Sequence, residues 1–437
     1  MSNKVDFLFV YEIKSREAES IILLGNQLKK RGYTVAYINT WENMDYFRSK
    51  RYDAGVVIAF AAYNTSTIKF VLKFCKSVQK VVNMQWEQLL SNGDKSKKSY
   101  RYYFDGWAKK TVHLAWGENN YNRLVNECGI PARFVKKVGH IGTDFLRTEF
   151  KKYYKSREEI CQEFSLDAES QICLFVSTFS FVGSPESIAA LVDGEFITFS
   201  VESQKEIMNW FSKYISEHPK VTIIYRPHPA EKTNLKLLEF SKKNDNFRVI
   251  SDYSIKQWIT IADVIYNWYS TSVLEIFAAK KGCFILRPFD IPEQYEIPIF
   301  ENAHFITSYE EFAASFEKEM SFPISGHVML QYNFIEEETP VYIKIADCLT
   351  EILDNDEYIF WLSQKEKRNY LLERGIRKSK VFRLAKQIRK ILGSKDKKAT
   401  LHEMKNEKKY QQQMVMQNRM TEQEFQYYHA KLEEIVG

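Results

Sequence analysis

The sequence predicts an α/β protein built on two parallel β-sheets, and three observations carry that prediction. Short runs of β-branched and aromatic residues alternate with helical patterns up to about residue 290, as in chains of βαβ units. A charged stretch over residues 151–169 interrupts this alternation, which then restarts. With 437 residues, the chain is also longer than a single hydrophobic core usually supports. We therefore predict two sheet domains and one additional segment.

The first predicted domain covers residues 1–165. Strands are predicted where apolar, β-branched residues run together, and helices where apolar residues recur at helical spacing. The predicted strands are 5–11, 33–39, 53–60, 78–84 and 112–117, and the predicted helices are 16–31, 64–76 and 119–128. This order matches one Rossmann-like domain of ordinary size.

The second predicted domain covers residues 166–355 and repeats the same order. Its predicted strands are 172–181, 221–225, 247–251, 263–268 and 283–288, with helices over 203–217 and 271–280. Two Rossmann-like halves that face each other across a cleft constitute the GT-B arrangement. Beyond residue 355 the sequence is polar and helical in pattern, with Gly and Pro scarce. This predicts a helical C-terminal extension over 356–437.

Composition narrows the possible functions. The six cysteines are scattered, with no CxxC pair and no Cys/His cluster, so we predict free thiols and no metal. The N-terminus leads directly into a strand and no apolar run reaches membrane-spanning length, which predicts a cytoplasmic protein. Residues 365–398 hold 14 Lys and Arg against 3 Asp and Glu. The net charge of this segment is +11 and that of the whole chain is +6, so the rest of the chain has a net charge of −5. Nucleic-acid binding is therefore not expected.

The strand predicted at 221–225 runs directly into Arg226, His228 and Pro229. Ligands of open parallel sheets bind at the carboxyl ends of the strands. Pro227 and Pro229 restrict the backbone on either side of His228, and Arg226 adds a permanent positive charge. The alternative is a loop histidine without a function. We expect Arg226, His228 and Pro229 to bind a phosphate or diphosphate.

Hydroxyl side chains follow two other predicted strands of this domain. One group stands where a strand gives way to a helix, and the start of a helix attracts anions. Glu275 follows Ser272 at the spacing of a capping box, so capping is the alternative for these two residues. For the other group the alternative is simple turn chemistry. The predicted donor-binding residues are Ser270, Thr271, Ser272, Glu275, Thr178 and Ser180.

Three carboxylates of the first domain are candidates for a general base. Glu87 follows the predicted strand 78–84 and is the first choice for a base across the cleft. Glu12, immediately after the first strand, is the second, and Asp105 is the third. The alternative for each is an ordinary solvated loop carboxylate. No pair of carboxylates in a DxD-like pattern stands at a strand end, so we predict a reaction without a metal or another cofactor.

Several motifs together resemble those of the bacterial surface carbohydrate biosynthesis proteins. They are AWGE at 115–118, VGHIGTDFLR at 138–147, LFVSTFSF, YRPHPAE and DYSIKQWITIADVIYNWYSTSVLEIF, and they span roughly residues 80–290. The resemblance implies a GT-B glycosyltransferase of capsule or lipopolysaccharide synthesis. A His-Pro pair followed by a Ser/Thr cluster is also similar to the motifs with which bacterial sialyl- and Kdo-transferases hold CMP. The chain departs from the group at Trp86-Glu87-Gln88, where an acidic pair and a glycine are common.

We therefore expect a glycosyltransferase that moves a sugar from a nucleotide donor, with CMP-linked donors first, to a surface glycan or its lipid-linked precursor. In this reading Arg226, His228 and the hydroxyl cluster stabilise the departing phosphate, while Glu87 accepts the acceptor's proton. A CDP-polyol phosphotransferase of a teichoic-acid-like pathway and a non-catalytic scaffold that binds nucleotide sugars are the alternatives.

The basic tail predicts a membrane contact. Within Arg377–Leu392, apolar residues fall on one helical face and Arg and Lys on the other, as in helices that lie on anionic membranes. This places the protein at the inner face of the plasma membrane. The alternative is that this helix packs on the body of the protein or against a partner chain. The polar stretch 403–435, with Tyr410, Met414, Phe425 and Leu432, is suited to pairing in an oligomer.

Overall fold

The first six strands form one parallel sheet. The computed structural model describes residues 3–42, 51–180, 182, 194–228, 231, 235–319, 321–335, 338–378 and 412–436. The strands are β1 Lys4–Tyr11, β2 Val35–Asn39, β3 Tyr52–Ala59, β4 Cys75–Asn83, β5 Val112–Ala115 and β6 Val135–Lys137. They lie in the order β2-β1-β3-β4-β5-β6, so the direction of winding changes between β1 and β3.

Helices connect these strands and cover both faces of the sheet. They are α1 Lys14–Lys30, α2 Thr65–Leu72, α3 Asn92–Ser96 and α4 Glu118–Asn122, which continues as a π-helical turn over Arg123–Glu127. Short 3-10 turns occupy Gly106–Lys110, Ala132–Phe134, Ile141–Leu146 and Thr148–Tyr153. Phe7, Val57 and Ile58 are buried at the centre of the sheet, because a parallel sheet is covered on both faces. The helix predicted over 64–76 ends at Leu72, since Cys75 already belongs to β4.

The other six strands form the second parallel sheet. They are β7 Gln171–Val176, β8 Val221–Arg226, β9 Phe247–Val249, β10 Val264–Asn267, β11 Phe284–Leu286 and β12 Phe305–Ile306. Their order, β12-β11-β10-β7-β8-β9, is that of a Rossmann sheet and reverses between β7 and β10. The helices are α5 Arg157–Phe164, α6 Gly194–Glu217, α7 Leu235–Lys243, α8 Ile255–Ile261, α9 Val273–Ala278, α10 Tyr309–Ser315 and α11 Gly326–Tyr332. The predicted two-sheet GT-B fold is confirmed.

A crossover after the second sheet returns the chain to the first. Helix α12, Val341–Asp354, buries Ile345, Leu349 and Ile352 in the core of the first sheet. The carboxylate of Asp144 accepts hydrogen bonds from the first two backbone amides of this helix, at 3.0 and 2.6 Å. Asp144 belongs to the VGHIGTDFLR motif, so that motif holds the crossover helix in place.

Two motif glycines allow the crossover segment to approach closely. A side chain at Gly117 of AWGE would lie 2.3 Å from the backbone carbonyl of Gln331, and one at Gly139 would lie 2.5 Å from that of Phe334. Gly139 also has a φ of +102°, which residues with a side chain rarely adopt. These motif positions are therefore explained by packing between the two halves.

The C-terminal extension is helical where the structure describes it. Helix α13 covers Gln364–Lys378, residues 412–418 are helical, and helix α14 covers Glu422–Val436. Within α14, Leu432 is fully buried in the core of the first half and Phe425 packs edge-on against Tyr37 at 5.2 Å. Helix α14 therefore packs on the body of the protein.

The predicted membrane helix within Arg377–Leu392 lies largely outside the described residues, which stop at residue 378 and resume at 412. Among the helices that the structure describes, none is long and apolar enough to span a bilayer.

Candidate functional site

The carboxyl edge of the second sheet gathers the predicted donor-binding residues around the reversal between β7 and β10. Ser180, which follows β7, and His228, which follows β8, form a hydrogen bond of 2.9 Å between Oγ and Nδ1. Burial lowers the pKa of His228, because a charged imidazole loses solvation there. The imidazole is therefore neutral near pH 7 in the unliganded protein. Pro229 lies outside the described residues.

A half-buried carboxylate that the sequence analysis did not predict, Glu231, organises the loop after β8. It accepts hydrogen bonds from the hydroxyls of Ser177 at 2.6 Å and Tyr225 at 2.7 Å, and from the His228 amide at 3.1 Å. Its own amide donates to the His228 carbonyl at 2.7 Å. Burial raises the pKa of Glu231, and these hydrogen bonds oppose that shift. The signal that could have identified Glu231 is its position at the end of the YRPHPAE motif, where it is the only carboxylate.

Arg226 supports a neighbouring loop. Its guanidinium donates to the backbone carbonyl of Ile250 at 3.0 Å and to that of Tyr253. Burial lowers the pKa of Arg226 to about 10, with Asp252 opposing the shift. The structure thus directs the Arg226 side chain to two backbone carbonyl groups of the loop after β9.

The hydroxyl cluster after β10 is held by its own hydrogen bonds. Asn267 exchanges two hydrogen bonds with the backbone of Ser270, at 2.8 and 2.7 Å. The Ser270 hydroxyl accepts from the Ser272 amide at 3.2 Å and donates to the Ser272 hydroxyl at 3.1 Å. Thr271 between them is exposed. The cluster therefore presents hydroxyls at the sheet edge in a fixed arrangement.

The capping-box alternative for Ser272 and Glu275 is wrong. Ser272 is the N-cap of α9, but its side chain makes no capping hydrogen bond, because its backbone is already helical and Ser270 takes that place. Burial raises the pKa of Glu275, and Lys256 opposes the shift. Lys256 in turn pairs with Glu19 of α1 at 3.1 Å, so Glu275 lies where the two halves meet. Helix α9 has only six residues, too few for a strong dipole.

Two buried polar atoms at this edge have no hydrogen-bond partner among the described residues. They are the hydroxyl of Thr178, directly after β7, and the indole N–H of Trp268, directly after β10. An unpaired buried polar group is costly, and in native proteins it often marks the place of a ligand or water. The two atoms flank the reversal of strand order, where Rossmann sheets bind ligands.

The facing edge of the first sheet carries charged groups. Glu12 follows β1, and its pKa is raised to about 7 by burial and by the charge of Glu17, with Arg16 opposing. Glu17 is fully buried and accepts from the amides of Glu12 at 2.9 Å and Ile13 at 3.2 Å. Arg16 pairs with Glu17 at 2.7 Å. A carboxylate with a pKa near 7 is suited to general base catalysis.

Glu87 is the centre of an ion-pair network at the same edge. Arg16 contacts one of its carboxylate oxygens at 2.7 Å, and Arg101 contacts the other at 3.1 Å. The charges of Glu87 and Arg16 also act on the pKa of His228 in the other half, Glu87 raising it and Arg16 lowering it. The structure therefore brings Glu87 and Glu12 to the cleft opposite His228.

Asp105 stands apart from this group. It is exposed at the start of the 3-10 turn Gly106–Lys110, and the neighbouring Gly106 packs against Thr65 at the beginning of α2. It remains the third candidate by sequence alone.

A groove of about 350 Å³ opens at Gln88, the neighbour of Glu87 in the chain. It lies between the loop after β4, the region of α4 and two residues of the second half. Its amide-rich lining includes Gln88, Asn119, Asn122, Asn126, Pro298 and Tyr332. Amide groups both donate and accept hydrogen bonds, so such a lining suits the hydroxyls of a carbohydrate. Among the described residues, no group of three or more His, Cys, Asp or Glu side chains is placed to hold a metal ion.

Comparison with solved structures shows the same fold. The S. aureus MnaA–UDP co-structure matches with a TM-score of 0.50 and 12% identity, covering 80% of this chain and 97% of that one. The wall teichoic acid polymerase TagF, soaked with CDPG, matches with a TM-score of 0.51 and 13% identity, covering 80% of this chain and 89% of that one. No family model and no curated protein matches the sequence.

The fold and the residues at its cleft define the class of protein. Two Rossmann-like halves place a His and hydroxyl cluster opposite an edge that carries ion pairs and Glu12, whose pKa is raised. This chain is a GT-B protein with a polar candidate site at the carboxyl edges of both sheets.

Proposed function

We propose that the protein is a GT-B glycosyltransferase that uses a nucleotide-activated donor in the synthesis of a bacterial surface glycan. The observation that carries the proposal is the hydrogen bond between Ser180 and His228 at the strand-order reversal, with Glu87 and Arg16 acting on His228 from the other half. Nucleotides of Rossmann folds bind at such a reversal. One of the similar structures is a complex with UDP and another was soaked with CDPG, which supports a nucleotide ligand.

The donor phosphate is bound by the edge of the second sheet. When the Ser180 hydroxyl donates to Nδ1 of His228, the neutral imidazole carries its proton on Nε2, and this N–H can donate to a phosphate oxygen. Thr178 and the cluster Ser270–Ser272 supply hydroxyls to the same anion. Preorganised donors of this kind stabilise the charge that develops on a leaving phosphate.

Glu12 is the preferred general base in this proposal, ahead of Glu87. Both oxygens of Glu87 are engaged by arginines, which occupy its acceptor positions. Glu12 has a pKa near 7, so it can accept a proton at neutral pH and release it afterwards. Glu87 then fixes Arg16 beside Glu12. The amide-rich groove next to Glu87 is the place proposed for the acceptor glycan, carried on a lipid-linked precursor at the membrane.

A second candidate function is transfer of a polyol phosphate from a CDP-activated alcohol. The likeness to TagF with CDPG favours it, and the same His and hydroxyl cluster would bind the CDP group. The two reactions differ in their products, since one forms a glycosidic bond and the other a phosphodiester. A scaffold that binds nucleotide sugars without turnover is the third possibility.

The test is a thermal-shift panel of CMP, CDP, UDP and GDP compounds, followed by product analysis with the best ligand. A nucleotide that binds only the native state raises its Tm. We expect one nucleotide class to raise the Tm of the wild type and to have a smaller effect on His228→Ala. A glycosidic product supports the first proposal and a phosphodiester the second. Binding without turnover supports a scaffold, and the absence of any shift contradicts all three.

A further inference from the structure

The two faces of helix α13 differ, and its acidic residues lie on the face that is turned toward the protein. Glu366 accepts from the indole of Trp107 at 3.0 Å and pairs with Lys110 at 2.9 Å, both in the first half. One turn further, the ring of Tyr370 packs edge-on against Trp107 at 5.7 Å. Glu373 then pairs with Lys69 at 2.5 Å. The spacing of these three helix residues places them on one face, which is turned toward the protein.

The opposite face of α13 combines leucines with cations. Leu371 is 54% exposed and Leu372 is 56% exposed. At 100° per residue, Arg368 lies between these two leucines on the outward face, and Lys365 and Lys367 lie on its flanks. All five side chains are exposed. The outward face from Lys365 to Leu372 therefore carries three positive charges, while the acidic residue in this span, Glu366, is paired inward.

The segment before α13 adds two exposed apolar side chains. The amide of Phe360 donates to the Gln79 carbonyl at the side of β4, and Phe360 itself packs against Trp107. Because side chains alternate in an extended segment, Ile359 and Trp361 point outward. Trp361 is 66% exposed. An exposed Trp next to leucines and cations is typical of surfaces that enter the headgroup region of a membrane.

We propose that residues 359–372 form a docking surface for an anionic lipid bilayer. The leucines and Trp361 insert among the lipids, and Lys365, Lys367 and Arg368 contact the headgroups. Charge complementarity supports a bilayer, because the cations face outward and the carboxylates of α13 are held against the protein. The sequence continues from here into the strongly basic stretch 374–398, so the surface is the folded start of a longer basic segment. Docking at the bilayer brings the cleft close to the lipid-linked acceptor. Only this consequence rests on the proposed function.

The experiment measures co-sedimentation of the full-length protein with phosphatidylcholine vesicles, with and without phosphatidylglycerol, at low and high salt. We expect binding only to the anionic vesicles, weakened by salt. Leu371→Ser/Leu372→Ser is expected to weaken it about tenfold. Lys365→Gln/Lys367→Gln/Arg368→Gln is expected to weaken it by a similar factor and to reduce its salt dependence. Vesicle binding is measured without turnover, so its failure leaves the proposed reaction standing.

A matched control places two serines on exposed aliphatic positions elsewhere. Val201→Ser/Leu330→Ser changes residues that are 43% and 50% exposed, in α6 and α11, and is expected to bind vesicles like the wild type. Equal loss in the control and in the leucine variant contradicts the proposal. The emission of Trp361 is obtained as the difference between the spectra of the wild type and of Trp361→Phe. This emission should shift to shorter wavelength when anionic vesicles are added.

Other occupants of the surface give different results. If residues 379–411 of the same chain cover it, the leucine variant loses thermal stability and keeps its vesicle binding. If a second copy covers it, the same variant shifts the oligomeric state in sedimentation velocity without lipid. Either result overturns the membrane proposal.

Discussion

The two sheet edges that face the cleft are built from different kinds of polar contact. At the second sheet, Ser180, His228 and the hydroxyls after β10 form hydrogen bonds among groups that are mostly neutral, and burial lowers the pKa of His228. At the first sheet, Arg16, Glu17 and Glu87 form ion pairs. The first kind of edge can receive an anion, and the second can hold a carboxylate whose pKa is tuned by neighbouring charges.

The difference teaches how one cleft can serve two steps of a transfer reaction. A departing phosphate needs donors that are not already neutralised by carboxylates, and the second sheet edge offers hydroxyls and an imidazole. A proton acceptor needs a carboxylate whose raised pKa makes it a stronger base near neutral pH, and Glu12 has that property. The predictions below test this division, starting from the largest expected effect.

The largest effect is expected for Glu12→Gln. We expect kcat to fall by about 10² to 10⁴ while nucleotide affinity stays near that of the wild type, because the amide cannot accept the proton. The wild-type kcat/KM should decrease as the pH falls below 7, where Glu12 with its pKa of about 7 becomes protonated. The pH profile and a nucleotide titration measure the two effects.

Stability provides the control for Glu12→Gln. The pKa of Glu12 is raised in the folded state, so its contribution to stability is greatest at low pH and is lost as the pH rises through 7. The variant should therefore be at least as stable as the wild type at pH 8. A variant that is unstable there would point to a structural role for Glu12.

The next effect is expected for His228→Ala. Loss of a donor to the leaving phosphate should lower kcat by about 10² to 10³ and weaken nucleotide binding in the thermal-shift assay. The fold should persist, since the side chain stands on a loop. His304→Ala, which changes an exposed histidine after α9, is the matched control and should behave as the wild type. Full activity of His228→Ala would refute the role of this edge.

A smaller effect is expected for Glu231→Ala. The hydroxyls of Ser177 and Tyr225 lose their acceptor, which should lower the free energy of unfolding by about 1 to 3 kcal/mol. Because the loop with His228 loses its anchor, KM for the donor should rise more than kcat falls. Glu202→Ala on the exposed face of α6 is the control. A variant with unchanged KM and unchanged stability would exclude the positioning role of Glu231.

The smallest effect is expected for Glu87→Gln. Its ion pairs with Arg16 and Arg101 are partly exposed, and such pairs contribute about 0 to 1 kcal/mol. Turnover should change little, apart from a shift of the pH profile, because Glu87 raises the pKa of Glu12. If Glu87→Gln is inactive and Glu12→Gln is active, the two carboxylates exchange roles and Glu87 is the base.

The sequence by itself determined the architecture and the edge at which the site lies. Apolar β-branched runs alternating with helical patterns can be buried only as parallel strands covered by helices, so the two sheets followed from local pattern. Polar residues that directly follow a strand must lie at its carboxyl edge. Their positions in the chain therefore predict that His228, Thr178, Ser180 and the cluster 270–272 lie at the same edge of the second sheet.

Only the tertiary structure decided what each side chain does at that edge. Glu12 and Glu87 look alike in sequence, and their difference comes from Arg101 and from burial beside Glu17, which depend on contacts between distant segments. Arg226 turns to carbonyls of the 250–253 loop, and Ser270 takes the place of the capping box. The last helix packs on α1 because Leu432 is buried in a core that includes residues of α1, more than 400 positions earlier in the chain. Ion pairs, burial and helix packing depend on which residues are close in space. The order of residues along the chain does not show which residues these are.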